Sequence, residues 1–282
     1  MLAQTSRTTR IVAAFCAVPF LVILLLFEAL PLAFVAAYSF FIEGTGPTLV
    51  NYIEIITSAF QRHAFVSSIM LSVITAGVGI LLGLPLAVIL RGTPNALQRV
   101  VLTYSNLCAN FTGFPVAFAF IIMFGLSGFF TLLLVKMGLI QSFNIYSTGG
   151  LILVFSYFQV PLGFLLVYPS LGALTPDIVE AAQLMGASRA SFWWSIGLPI
   201  LWPSLLSSFI LLFANAMGTY ATAFALAGGN ANLVTIRIGE LVEGDVFSEP
   251  NLADALSILL VIALAVPIAF EQLILKRRRT DE

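Results

Sequence analysis

The chain has 282 residues, of which 60% are hydrophobic and 9% charged, and its formal net charge is −1. Soluble globular chains carry about 45–50% apolar and about 25% charged residues, so an ordinary water-soluble domain is excluded and a membrane protein is implied. One histidine and two cysteines leave little material for a metal centre or a disulfide framework.

A bilayer core about 30 Å thick needs about 20 apolar residues per helix. Six tracts meet that demand, at residues 11–41, 66–90, 100–130, 150–171, 204–227 and 252–275, so the expected fold is an all-α membrane bundle with six transmembrane helices. The only other spanning solution is a closed barrel of alternating strands. The run FLVILLLF from Phe20 to Phe27 has no such alternation.

Two arginines precede the first tract, as in a signal peptide. Its apolar run passes through Pro19 and Pro31, however, beyond the roughly 7–15 residues of a cleavable apolar region. It reads as a retained helix that carries Glu28 well inside. The third tract is long enough to hold a turn or tilt at its end. Residues 1–10 and 276–282 remain as short tails around one transmembrane domain, residues 11–275, with no internal repeat and no linker.

The charges orient the bundle. With both termini in the cytoplasm, Arg7, Arg10, Arg91, Arg99, Arg189, Lys276, Arg277, Arg278 and Arg279 fall inside, and only Arg62, Lys136 and Arg237 fall outside. That asymmetry follows the positive-inside rule. The same topology places Glu240, Glu243, Asp245 and Glu249 in the last outer loop. The KRRR run reads as a membrane stop and lipid anchor, not a nucleic-acid patch. Cys16 and Cys108 lie in apolar tracts, and His63 reads as a solvated outer-loop residue.

Between the fourth and fifth tracts, residues 175–199 are too polar for lipid at their start and too apolar for a solvated loop. Either Thr175 caps a short helix with Pro176 in its first position, or Asp177 caps it with Glu180 three residues on. Ile178, Ala181, Ala182 and Met185 give one apolar stripe, and Gly186 is a natural stop. A second short helix over about residues 188–196 carries Phe192, Trp193 and Trp194 toward the interface, and Pro199 and Pro203 then break the chain into the fifth span. On this reading the loop is either a surface connector or a docking element.

Glu180, Ala181, Ala182, three residues, Gly186, nine residues, Ile196, one residue, Leu198 and Pro199 reproduce without gaps the EAA signature. The chain thereby resembles the permease subunits of binding-protein-dependent ATP-binding cassette (ABC) importers. NFTGFPVAFAF (Asn110 to Phe120) and LLFANAMGTYATAFALAGG (Leu211 to Gly229) are similar to the branch with polyamine, ferric iron, thiamine and phosphonate permeases. The resemblance implies a type I, MetI-like fold in the bacterial inner membrane, with the signature forming coupling helices on a separate ATPase. It further implies a solute-binding protein, and a second permease subunit, of a different chain or a second copy. Glu180 is expected as the polar contact to the ATPase or as a carboxylate stabilising its own helix.

No catalytic role is expected within the chain. Its only lysines, Lys136 and Lys276, are not in a G-x-x-x-x-G-K-[ST] loop, so ATP and Mg are expected on the partner. No H-E-x-x-H or G-x-S-x-G occurs either. For the translocation pathway, Asn215, Thr219 and Thr222 recur at i, i+4 and i+7, and Ala214, Gly218 and Thr222 give small-xxx-small spacing on an overlapping face. Asn106, Asn110 and Thr112 are further candidates. Glu28 must face protein or water, because a carboxylate in lipid costs roughly 2.5–3.5 kcal/mol on insertion scales. It is read as a cation site, as structural pairing or as a mark of local tilting toward the interface; in the first case an ion-coupled secondary transporter is the alternative function.

Overall fold

The computed structural model describes residues 18–42, 46–228, 231–243 and 249–280. Arg7, Arg10, Cys16 and Asp245, and with them the expected tail of residues 1–10, lie outside the described residues. The helices are α1 (Val18–Tyr38), α2 (Val50–Thr57), α3 (Ala59–Arg91), α4 (Asn95–Asn110), α5 (Phe114–Phe124), α6 (Phe129–Lys136), α7 (Thr148–Val167), α8 (Pro176–Leu184), α9 (Arg189–Met217), α10 (Ala221–Ala227), α11 (Val234–Glu243) and α12 (Pro250–Thr280). Among the described residues six helical stretches are long and apolar enough to cross a bilayer: α1, α3, α5 with α6, α7 with the turn through Ala173, α9, and α12 as far as Leu273.

The second stretch begins at Ala59 and not at residue 66, so His63, expected in an outer loop, lies in a helix; two other tracts differ more, each for a physical reason. The third tract is interrupted at Gly113, whose φ is +78°, so α4 is a separate helix and the spanning stretch runs from Phe114 to Lys136. Arg99, Thr103, Asn106 and Asn110 make α4 too polar to cross lipid unaided, and Pro115 sits in the first turn of α5, where its missing N–H costs nothing. The fifth stretch begins at Arg189 rather than residue 204 and ends at Met217 rather than residue 227. Pro199 and Pro203 do not break it. A π turn at Trp193–Gly197 carries the ladder to Leu198, whose N–H reaches Trp193 O, and Pro199 follows in the first turn of the next segment. Prolines are tolerated in membrane helices, where neighbouring groups can satisfy the freed backbone.

The chain divides into two compact units, Met1–Ser58 with Ile238–Val261, and Ala59–Arg237 with Ile262–Glu282. The larger is built on α3, α7 and α9, with α4 laid on α7 and α10 on α5. At the crossing of α3 and α7 the backbones nearly touch. A Cβ on Gly83 would lie 2.7 Å from Phe164 N, and one on Gly163 would lie 2.6 Å from Gly79 O. The run Gly79-x-x-x-Gly83 therefore provides the small-residue groove that membrane helices use to pack. Beside this crossing the buried Gln159 donates from Nε2 to Leu212 O at 2.7 Å, pinning α7 to α9.

Two apolar clusters flank the crossing. One joins Val116, Val154, Phe155, Phe158 and Leu226; the other, toward the signature loop, joins Leu90, Phe164, Val167, Leu171, Leu174, Leu201 and Leu205. Around the second cluster, Arg91 Nη1 donates to Leu171 O at 2.6 Å and Tyr168 OH donates to Gln98 Oε1 at 3.1 Å. His63 lies within α3, exposed, with Ser67 Oγ at 3.3 Å from Nδ1.

In the smaller unit the buried Asn51 side chain donates to Ser39 O and Phe41 O, each at 3.0 Å, and so ties α2 to the turn after α1. Tyr52 OH and Ser39 Oγ meet at 2.8 Å on the same turn. α1 exposes apolar side chains around its circumference, and Glu28 is exposed within a π turn, Leu25–Ala29.

Candidate functional site

The signature loop is built from its turn outward. Thr175 is the N-cap of α8 and Pro176 the first helical residue, which decides between the two starts. Thr175 contributes no side-chain cap bond, and Asp177 lies in the first turn, where a negative charge favours the helix dipole. Glu180 is exposed and bound by no hydrogen bond or ion pair among the described residues, so it is not a capping-box partner of Asp177.

The C-terminus of α8 is a Schellman motif. Ala187 N donates to Ala182 O at 3.0 Å, Gly186 N donates to Gln183 O at 2.9 Å, and Gly186 takes φ +77°. Nothing lies within 4 Å of where a Cβ on Gly186 would stand. The glycine is thus required by backbone conformation and not by crowding. The chain reverses here and re-enters helix at once, with Ser188 as N-cap accepting from Ser191 N at 3.2 Å.

The reversal sorts the apolar residues. Ala182 is buried and Ile178 and Val179 half-buried, whereas Leu184 is 90% exposed, Met185 77% and Trp194 75%. The predicted stripe through Ile178, Ala181, Ala182 and Met185 is therefore split, because the Schellman turn swings Met185 outward and Ala181 is exposed. Between the two arms lies a cleft of about 300 Å³ lined by Val179, Ala182, Ala187, Phe192 and Trp193 together with Gln183, Ser188 and Arg189.

The remaining signature residues anchor the loop to the bundle. Leu198 and Trp193 pack on the cluster of Leu90, Phe164 and Leu201, and Ile196 is half-buried. A Cβ on Gly197 would lie 2.8 Å from the Trp193 ring, so this glycine admits the indole. Pro199 is exposed in the first turn of its segment. The loop is thus a rigid, capped reversal, fixed at its base and apolar at its tip.

Residues 79–281 match the family described as the binding-protein-dependent transport system inner membrane component. The chain belongs to this family. The permease is 24% identical to the molybdenum transport system permease protein ModB of Mycobacterium bovis, over 75% of this chain and 79% of that protein. It is 27% identical to a spermidine/putrescine transport system permease protein PotC homolog of Mycoplasma genitalium, over 60% of this chain and 56% of that one. In fold it is similar to a chain from the crystal structure of a bacterial ABC transporter involved in importing the acidic polysaccharide alginate. There the TM-score is 0.75 at 16% identity, covering 94% of this chain and 95% of that chain. The protein is accordingly a multi-pass permease component of an ABC importer, which displaces the ion-coupled alternative.

The pathway candidates of the permease are redistributed by the fold. Asn215, Thr219 and Thr222 do not share one helical face, because α9 ends at Met217 and Thr222 belongs to α10. Thr222 is fully buried and accepts from Gly113 N at 2.8 Å, which holds α10 against the start of α5. Thr219 Oγ1 donates to Asn215 O at 2.7 Å and is half-buried, while Asn215 is exposed. Asn106 and Asn110 are exposed on α4, each donating to the carbonyl four residues back, at 2.9 Å and 2.8 Å, and Thr112 is exposed in the break that follows.

Sequence reasoning missed one intramembrane partner. Glu271 of α12 accepts a hydrogen bond from Ser207 Oγ of α9. The signal was present, since a carboxylate in a predicted span must find a donor. Glu28 drew attention instead, and among the described residues it has no such partner.

Proposed function

We propose that this permease forms half of a translocation pathway in the bacterial inner membrane and that residues 175–199 couple it to a separate ATPase subunit, which carries ATP and Mg. The observation that carries the reading is the capped reversal at Gly186, with Leu184, Met185 and Trp194 exposed on a loop whose base is fixed in the core. With the loop on the cytoplasmic side, exposed large apolar side chains at its tip fit a partner's groove better than water. Glu180, Ala181 and Gly186 would lie against that groove, while Ala182, Ile196 and Leu198 hold the loop's shape and Pro199 starts the following segment.

Both termini are placed in the cytoplasm by the charge asymmetry, with a solute-binding protein delivering a small solute at the opposite face. A second permease subunit completes the pathway, a different chain being preferred over a second copy. A polyamine-like or related solute is the class to test first, supported by the similarity to the PotC homolog. Asn215, Thr219, Asn106 and Asn110 are the polar groups proposed to meet it.

The test is purification of the tagged permease from its own membranes in mild detergent. ATPase and second-permease subunits in stoichiometric amount, with the ATPase lost on Gly186→Pro, support the reading. An intact, transport-competent protein without an ATPase overturns it. Uptake of labelled spermidine against labelled molybdate then decides the solute class.

A further inference from the structure

The Ser72 hydroxyl on α3 is buried, its residue 1% exposed, and has no hydrogen-bond partner among the described residues. Buried polar groups are nearly always paired, so each exception calls for a ligand or a water. Ser72 lines a small, half-open pocket with Ser68, Thr219 and Thr235, whose apolar walls include Leu71 and Phe155. The space left there to the centre of a water molecule is about 10 Å³, which is room for one.

The surrounding polar groups are arranged around that space. Ser68 Oγ accepts from Val234 N at 2.9 Å, leaving its proton to be donated elsewhere. Thr235 Oγ1 donates to Thr219 O in a long bond of 3.5 Å, and a carbonyl oxygen can accept a second hydrogen bond. We propose that one water molecule is bound here as a fixed part of the permease, accepting from the Ser68 and Ser72 hydroxyls and donating to Thr219 O.

The chemistry favours water over a cation, because two hydroxyl protons need an acceptor and no carboxylate among the described residues lines the pocket. The position gives the water a purpose. Thr219 lies in the break between α9 and α10, and Ser68 and Ser72 are on α3, so the water joins that break to α3, while Thr235 of α11 reaches Thr219 O directly at 3.5 Å. The water would set the angle at which the chain leaves α9.

The sign of one substitution tests this. If the hydroxyl is hydrated, Ser72→Ala removes a partner from a bound water, and the purified complex melts roughly 2–4 °C lower. If the cavity is dry, the same change removes an unsatisfied group and the midpoint stays or rises, which overturns the proposal. Melting is compared in sodium chloride and choline chloride at equal ionic strength; a midpoint higher in sodium assigns a cation and also overturns it. Should Ser72→Ala fail to accumulate, a wild-type density map that resolves waters serves instead. A peak within about 3.2 Å of both serine hydroxyls supports the proposal, and an empty cavity refutes it.

Discussion

Gly186 offers a graded test of the coupling loop, because conformation and crowding are separable there. An alanine at φ +77° would meet nothing within 4 Å, so its cost is the left-handed backbone alone, about 1–2 kcal/mol. Tryptophan should cost about the same in the permease by itself, and asparagine, which tolerates that conformation, clearly less. Proline is of another kind. It fixes φ near −65°, opposite in sign to what the turn needs, and removes the N–H that donates to Gln183 O at 2.9 Å. The lost bond adds about 0.5–1.5 kcal/mol to a turn that can no longer close. Solute uptake and solute-stimulated ATP hydrolysis in proteoliposomes should therefore fall in the order glycine, asparagine, alanine, proline, with membrane insertion unchanged throughout. Tryptophan adds information of its own: activity well below alanine's would mean that a partner lies against the open side of the turn. Normal uptake by Gly186→Pro would refute the argument that this reversal transmits anything.

Three further outcomes are expected. In a background lacking Cys16 and Cys108, Val242→Cys should react with an impermeant thiol reagent added outside cells and Ser188→Cys should not; the reverse labelling would invert the topology. Gly83→Ala should lower thermal stability in detergent, since its Cβ would lie 2.7 Å from Phe164 N, whereas Gly77→Ala, with nothing within 4 Å, should not; equal effects would remove the crossing of α3 and α7 as the cause. Thr222→Val should destabilise the complex by about 0.6 kcal/mol, and at most about 1.7, through loss of the bond from Gly113 N, while Asn215→Ala should leave stability intact and reduce solute-stimulated hydrolysis. Unchanged stimulation in Asn215→Ala would take Asn215 out of the pathway.

Much of this structure could be read from residue types. Apolar runs announce helices wherever lipid is the solvent, and a glycine after Ala182-Gln183-Leu184-Met185 announces the end of α8, because few other residues accept a positive φ. The failures have equally definite causes. Hydropathy does not register the break at Gly113, since Phe111, Phe114 and Val116 on either side are as apolar as a helix interior; the helix-start pattern of Gly113, Phe114 and Pro115 was the available sign. Pro199 and Pro203 looked like breakers by the standards of water-soluble helices, a standard that relaxes inside a membrane. Helical spacing placed Thr222 beside Asn215 only on the assumption of an unbroken helix, which Gly218 ends. The docking tip was hidden for another reason: the exposure of Leu184 and Met185 follows from the reversal as a whole, and no single residue encodes it.

The π turn at Trp193–Gly197 changes the phase of the helix it interrupts. A π turn accommodates one residue more than an α turn, so side chains beyond it are rotated by about 100° from where uninterrupted counting would put them. A helical wheel anchored on Ile196 or on the Gly186 turn therefore assigns the wrong face to everything from Leu198 onward. It also follows that deleting one residue within 193–197 would turn the wide coil into a regular one and keep both flanks in their present orientations. Deletion of any residue between Leu198 and Met217 would instead twist the signature loop out of alignment with the remainder of α9.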